Sequence, residues 1–411
     1  MPNQSFPWRK TFVLGFGFLG ISIVWPIFNS FIPPMLEKLG LLTSVVGFIM
    51  TWDNIINMFL QPWVGARSDR THTRVGRRKP WLMAGAPLAA FFFILVPFVR
   101  ENFILIAVAI LLTNISMALF RSPTIAYLGD LFKADERSKA NGVINLMGGL
   151  GGAAALFGGG TLYERGVPLP FIVGAGVMLI AIIIVIVAVR EPDLHEQPID
   201  QEESKGVLAN LRTVASSTDR SGLYLLGAIF CWFVGWNAME AFFTLYGINV
   251  LKIDAGAGAR MLTAFAAALI VFAIPSGLIA TKIGRKRTIT IGLAGMVAGL
   301  VVGFFIRSQI VLLIVLAVMG GFWALVNINS LPMVYDLGGE RHIGAYTGLY
   351  YFSSSAAAIT GPIVAGALID LTAKSYSVLW LFSAVFIALA LVAMTGVRAK
   401  QPQPQLALTA E

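Results

Sequence analysis

Two acids and one arginine interrupt stretches that are otherwise apolar enough for a lipid bilayer. Asp53, Asn57 and Gln61 recur at every fourth residue among Ile55, Ile56, Met58, Phe59 and Leu60. On a helix of 3.6 residues per turn they fall within roughly 80° of one another and form one polar stripe. A carboxylate at that depth costs about 2.5–3.5 kcal/mol to insert, so it faces a cavity or a partner and marks a route for an ion or a substrate. The plainer reading is a structural acid satisfied by a neighbouring helix. Glu240 is a second acid of this kind, in one narrow sector with Phe233, Asn237 and Thr244; it reads as a proton site, a ligand for a polar substrate, or the partner of Arg121. Arg121 shares a helix face with Asn114, seven residues before it. A buried guanidinium wants a bidentate partner, and Asp53 is the first candidate. Alternatively, with Pro123 close behind, Arg121 lies near the end of its span and snorkels to the interface.

Other polar and aromatic side chains fall on the same kind of face. The first apolar segment aligns Ser22, Trp25 and Asn29, and the tenth aligns Trp323, Asn327 and Ser330. Trp236 adjoins Asn237, and Tyr346, Tyr350 and Tyr351 open the eleventh segment. Aromatic faces combined with convergent hydrogen-bonding groups suit a ligand rich in hydroxyls, for which an all-apolar pocket is excluded.

The elements that must carry these groups are membrane helices. The chain has 411 residues, 57% hydrophobic and 12% charged, with a mean hydropathy of +0.79; soluble domains carry about 25% charged residues. A spanning helix needs about 20 apolar residues, and twelve segments of that length can be traced. Long helical runs, in place of alternating strands of about ten residues, exclude an outer-membrane barrel. A net charge of +9 would suggest nucleic acid in a soluble protein, but here the charge is sorted by loop. With the N-terminus in the cytoplasm, 22 of the 30 Lys and Arg lie at cytoplasmic ends, 7 lie on the opposite side, and Arg121 lies inside a span. Basic residues accumulate on the cytoplasmic side, so both termini are expected there. Cys231 is the only cysteine, which rules out a disulfide or a cysteine-built metal site within one chain.

The loop after the second segment carries Gly65, Ser68, Asp69, Arg70, Gly76, Arg77, Arg78 and Lys79. This pattern resembles the signature between helices 2 and 3 of major facilitator superfamily transporters. With five extra residues before the second glycine, it is similar to the form in glycoside–pentoside–hexuronide:cation symporters and sucrose/maltose-type transporters. The stretch RSPTIAYLGDLFKADERSKANG, with Asp130, Glu136 and Arg137, resembles the helix 4–5 connection of those groups, and WNAMEAFFTLYG around Glu240 is similar to bacterial relatives of the sucrose-type carriers. Physically, an acid and arginines at helix ends can latch a conformation through charge-assisted contacts. The expected cytoplasmic gate is Gly65, Asp69, Arg70, Gly76, Arg77, Arg78, Glu136, Arg137, Glu340 and Arg341.

The second half repeats the first. Gly284 follows Gly76 by 208 residues, Asn237 follows Asn29 by 208, and Glu340-Arg341 follow Glu136-Arg137 by 204. Such a duplication indicates two six-helix halves, the architecture that the resemblance also implies. Thr281 and Lys282 stand where the first copy has Asp69 and Arg70, so a carboxylate latch is expected only in the first copy. The expected layout is an all-α membrane protein with an N-terminal bundle at 1–189, a cytoplasmic linker at 190–221 holding a short interfacial helix around Val207, Leu208, Leu211 and Val214, a C-terminal bundle at 222–397, and a cytoplasmic tail at 398–411.

The function this implies is secondary transport of a sugar or glycoside by alternating access. Proton coupling is assigned to Asp53 and Glu240, and substrate binding to Trp25, Asn29, Asn57, Asn114, Arg121, Trp236, Asn237, Trp323, Asn327 and Tyr351. In the sodium-using symporters that the chain resembles, helix 2 offers two acids one turn apart. Here Asn57 stands one turn after Asp53, and one desolvated carboxylate suits a proton better than sodium, which prefers several oxygens. The competing reading is a proton-driven exporter of amphiphilic, drug-like or lipid molecules. No G-x-x-x-x-G-K-[ST] loop is present for an ATP-driven pump, and His72, His195 and His342 all fall in loops, against a metalloenzyme. Neither a cofactor nor a metal is expected. The expected setting is a monomer in a cell membrane, of bacterial or archaeal type, with a small molecule and the bilayer as partners and no nucleic acid.

Overall fold

A computed structural model describes residues 6–191, 220–338 and 343–398. The interfacial helix expected at 207–214, the pair Glu340-Arg341 and the tail beyond Arg398 lie outside the described residues. Helices account for nearly all of the rest. The first half comprises α1 (Trp8–Lys38), α2 (Thr43–Met50), α3 (Trp52–Asp69), α4 (Lys79–Leu95), α5 (Phe103–Leu131), α6 (Ala134–Arg165) and α7 (Leu169–Ala188). The second comprises α8 (Ser221–Tyr246), α9 (Ala255–Ile283), α10 (Arg285–Phe305), α11 (Gln309–Gly338), α12 (Ile343–Leu371) and α13 (Val378–Thr395).

Among the described residues, eleven helices are long and apolar enough to cross a membrane. The twelfth crossing is α2 and α3 together, because the second segment is not one straight helix. At Thr51 the backbone tightens: its N–H bonds to the Phe48 carbonyl at 3.1 Å, and its hydroxyl donates to the same oxygen at 2.7 Å. The break puts Asp53 in the first turn of α3, the end of a helix that favours an anion. Elsewhere the ends are capped as their sequences allow. Asn102 accepts from the Leu105 N–H at 3.1 Å and starts α5; Asp254 accepts from Ala257 at 2.9 Å and starts α9.

Packing repeats the duplication. In the first half α1 lies against α6 and α7, α5 against α3 and α4, and α4 against α7; in the second α8 lies against α12 and α13, α11 against α9 and α10, and α10 against α13. The halves meet through α6 with α9 and through α2 with α12, the two contacts that a two-fold relation exchanges, and through α1 with α8. Large apolar side chains such as Val187, Phe305, Ile310 and Leu371 remain exposed on the outside of the bundle, as a hydrocarbon surround requires.

On the face away from the chain termini the halves are clamped. A Cβ on Gly160 of α6 would come within 2.4 Å of the Gly256 carbonyl at the start of α9, so only glycine permits this approach. Asp370, at the end of α12, accepts from the Thr43 N–H, the Ser44 N–H and the Ser44 hydroxyl, each at 2.8 Å, and so caps α2 of the other half. Glu37 accepts from the Tyr376 hydroxyl and from the Asn249 amide at 3.2 Å. Burial, reinforced by that hydrogen bond, pushes the Tyr376 phenol up from its ordinary value, which keeps it a donor. Arg260 pairs with Glu164 at 2.5 Å. On the face carrying the termini, the described ion pairs each stay within one half.

Candidate functional site

Two adjoining chambers lie between the halves. The first, about 190 Å³, is lined by Trp25 and Asn29 of α1, Met50 of α2, Asp53 and Asn54 of α3, Arg121 of α5, Asn237, Glu240 and Ala241 of α8, and Ala358 and Pro362 of α12. It therefore gathers both intramembrane acids and the intramembrane arginine. The second, about 290 Å³, is lined by Trp236, Trp323, Phe265 and Asn327 on one side and by Pro26, Gly149, Gly152 and Leu156 on the other. Asn29 and Glu240 line both chambers, and the Asn29 amide donates to the Glu240 carboxylate at 3.0 Å. This bond joins the two halves where the chambers meet.

The polar chamber holds its charges without closing them into a pair. Asp53 accepts from the Asn54 amide at 2.7 Å and acts electrostatically with Arg121 and Glu240; among the described contacts no ion pair forms between Asp53 and Arg121. The Arg121 guanidinium lies over the Trp25 ring, 5.8 Å from its centroid, a distance that permits cation–π attraction. Arg121 thus sits beside Asp53 and does not snorkel to the end of α5. In the second chamber the Trp236 ring stacks between Phe265, at 4.3 Å, and Trp323, at 5.2 Å, and Phe233 meets Trp323 edge-on at 5.9 Å. The stack forms a flat aromatic wall beside a carboxylate and two amides.

Of the residues read from the sequence, Trp25, Asn29, Asp53, Arg121, Asn237 and Glu240 line the polar chamber, and Trp236, Trp323 and Asn327 line the aromatic one. Three do not line either. Asn57 shares the stripe with Asp53 but lies a turn beyond the wall. Asn114 is 1% exposed, with no hydrogen bond to either amide atom among the described residues; its helix α5 packs against α3, α4 and α1 of its own half. Tyr351 is 57% exposed and reaches Arg121 only electrostatically. Asn54 and Phe265 were missed because Asn54 lies off the stripe of Asp53, Asn57 and Gln61, and Phe265 stands among alanines, at 264 and 266–268, with no polar neighbour.

The basic loop forms a network inside the first half. Arg78, 4% exposed, pairs with Asp69, donates to Asp130 at 3.0 Å and to the Ser68 hydroxyl at 2.5 Å. Arg77 donates to the other oxygen of Asp130 at 2.6 Å. Glu191, just after α7, accepts from the backbone N–H groups of Arg77 at 2.6 Å, Arg78 at 3.1 Å and Lys79 at 3.0 Å, and from the Tyr127 hydroxyl at 2.7 Å. It caps α4 from outside. Gly76 takes a φ of 119°, and a Cβ there would lie 2.6 Å from the Glu191 carboxyl, so both conformation and space demand glycine. Gly65 brings α3 against α5, where a Cβ would lie 3.2 Å from Ser122.

Three of the expected gate residues do something else. The Glu136 side chain accepts from the Lys133 N–H at 3.2 Å and caps α6. Arg137 donates to the carbonyls of Phe132 at 3.1 Å and Gly129 at 3.0 Å, closing the end of α5. Arg70 is exposed, without a described side-chain partner. Asp130, Glu191 and Tyr127 complete the network in their place. Asp130 was visible in the sequence as an acid at a helix end; Glu191 read as the start of a polar linker.

A two-fold repeat of membrane-crossing helices around a central chamber that holds charges and an aromatic wall is the construction of a carrier. The sequence pattern of the Major Facilitator Superfamily matches residues 14–260 and 251–410, and the chain belongs to this family. It is 23% identical over 167 residues to a general alpha-glucoside permease of Schizosaccharomyces pombe, covering 36% of this chain and 30% of the permease. It is 24% identical over 178 residues to a proton-associated sugar transporter A of Homo sapiens, covering 40% and 24%, and 24% identical over 153 residues to a sucrose transport protein of Arabidopsis thaliana, covering 32% and 26%. The matched stretches span less than a third of these relatives. Among solved structures, a nucleoside transporter superposes with a TM-score of 0.74 at 13% identity, covering 95% of this chain and all 100% of that one. A bacterial homologue of the human lysosomal transporter Spinster, inward-facing and occupied, superposes with 0.73 at 14%, covering 96% and 97%. These likenesses show the fold. The protein is a multi-pass membrane transporter, not an enzyme, with sugar carriers among its relatives.

Proposed function

We propose that this chain is a proton-coupled symporter of a sugar or glycoside, working by alternating access in a cell membrane with both termini in the cytoplasm. In that orientation the clamped face is external, and the conformation is inward-facing. The observation that carries the reading is the junction of the chambers: an aromatic wall and convergent amides suited to a sugar adjoin, through Glu240, a pocket containing Asp53 and Arg121. With both acids ionised the pocket holds one uncompensated negative charge, and a single proton removes it. Moving an uncompensated charge through a low-dielectric barrier is costly, so rocking of the halves is favoured once that proton has bound. The fixed guanidinium of Arg121 disfavours a sodium ion in the same space. Arg77, Arg78, Asp69, Asp130 and Glu191 keep the cytoplasmic loop of the first half in one piece during that movement.

The names of the relatives, an alpha-glucoside permease, a sucrose transport protein and a proton-associated sugar transporter, support a sugar as substrate. The rival, a proton-driven exporter of amphiphiles, draws support from the mostly apolar opposite wall of the larger chamber. Thermal-shift measurements with sugars against amphiphiles separate the two. The deciding experiment follows internal pH in proteoliposomes while glucosides, galactosides, pentosides and uronides are added in turn. The wild type is expected to acidify the lumen with one sugar class. Asp53→Asn is expected to lose uphill uptake while retaining exchange. Accumulation that depends on sodium and ignores pH would overturn proton coupling, and silence with every sugar would favour the exporter.

A further inference from the structure

Asn29 and Asn237 occupy matching places in the two halves, 208 residues apart, yet their amides bond differently. The Asn237 amide folds back on its own helix and donates to the Phe233 carbonyl, four residues earlier, at 2.7 Å. Asn249 and Asn329 also hold the carbonyl four residues earlier, of Leu245 and Leu325, each at 3.0 Å, while their second N–H reaches Glu37 of the other half at 3.2 Å and the Ser276 hydroxyl at 2.9 Å. Asn29 differs in leaving the carbonyl four residues earlier without its amide: among the described contacts it donates across the halves to Glu240 alone. The carbonyl that corresponds to that of Phe233 belongs to Trp25, and bonding of an asparagine to a nearby backbone carbonyl is a local option open on any helix. Asn29 therefore has two places to donate, one on its own helix and one on the opposite half, and the second is a carboxylate on the wall of both chambers.

We infer that Asn29 is a two-position switch that stands in for substrate: in the empty carrier its amide holds the Glu240 carboxylate, and when a substrate hydroxyl takes that carboxylate the amide folds back onto the Trp25 carbonyl, as Asn237 is folded now. The inference rests on the sugar reading of this site. One donor replaces another on the same oxygen, so no polar group is stranded in either position. Occupancy also releases the bond that ties α1 to α8 at this level, which links substrate arrival to separation of the halves. Asn29 acts as a positioning residue, through Glu240.

Removing the stand-in removes a competitor. With the full-length carrier, binding of sucrose and of methyl α-glucoside is followed by intrinsic tryptophan fluorescence, and sugar-free proton entry by an internal pH dye under an imposed gradient. Asn29→Ala and Asn29→Ser are both expected to bind the sugar that the wild type binds about fivefold more tightly, the equivalent of one net hydrogen bond. Both should also leak protons faster than the wild type without sugar, since a neutral Glu240 is no longer tied to the other half. Asn237→Ala, whose amide competes for no carboxylate, should not tighten binding. Weaker binding by the Asn29 variants would make Asn29 itself a sugar ligand and overturn the switch, as would unchanged binding with unchanged leak. If the wild type binds neither sugar, the sugar reading fails and the leak alone decides: equal leak in Asn29→Ala and wild type overturns the switch, faster leak upholds it.

Discussion

The loop that joins α3 to α4 and its repeat between α9 and α10 descend from one pattern but are held very differently. In the first, Arg78 is buried against two acids and a hydroxyl, and Glu191 caps three N–H groups. In the second, Arg285 makes an ion pair with Asp336 in which the two side chains are 39% and 48% exposed, and Lys286 donates to the Val397 carbonyl at 2.6 Å. Asp336 lies 206 residues after Asp130, so the acid from the fourth helix of each half is kept; the residue 208 after Glu191 is Ala399. The expectation that the second copy lacks a carboxylate contact holds for α9, where Thr281 and Lys282 stand, but misses the acid supplied by α11. The difference teaches that the duplicated motif fixes the turn, while the surrounding acids decide whether the turn is locked. One half has its loop set in a largely buried network and the other in an exposed one, so disrupting the two is expected to cost unequal amounts.

Breaking the networks in turn tests that contrast. Arg78→Ala leaves Asp69 without its ion-pair partner and Asp130 with Arg77 alone, and should destabilise the protein by about 3 kcal/mol, the cost of lost charge-assisted hydrogen bonds at a buried guanidinium, whereas Arg285→Ala should cost about 0–1 kcal/mol; thermal unfolding of the purified carrier compares them. Equal losses would remove the asymmetry. Gly76→Ala meets both a φ of 119° and the Glu191 carboxyl, while Gly284→Ala meets a φ of 88° in open space. The first should lose about 2–3 kcal/mol and the second about 1 kcal/mol, so a smaller loss at Gly76 would mean that Glu191 is free to step aside. Glu191→Gln keeps the shape but weakens the charge-assisted cap, an expected loss of about 1 kcal/mol. Hydrogen exchange at the start of α4 should rise in that variant, and unchanged exchange would show the cap to be incidental.

Much of the architecture was legible in the chain itself. A helix satisfies its backbone within its own segment, so apolar length and Lys/Arg placement report the crossings and the duplication without reference to neighbours. The same holds for the three charged intramembrane residues: Asp53, Arg121 and Glu240 stand out because lipid tolerates such groups only where they serve a cavity or a partner, and they do share one chamber. Facing was harder. Asn57 and Asn114 have the right type and spacing, yet periodicity tells only that residues share a side of a helix, and the break at Thr51 and the packing around α5 decide what that side meets.

What the tertiary structure alone decided is pairing across the chain. Asn29 with Glu240, Ser44 with Asp370 and Glu37 with Tyr376 are separated by 211, 326 and 339 residues, and nothing in local pattern links them. Each depends on a separation near 3 Å, set by how two whole bundles lie against each other. The amino-acid order determined which groups would be too costly to leave in lipid; the packing of one half on the other determined which partner each of them found, because a hydrogen bond fails within a fraction of the distance by which the halves can move.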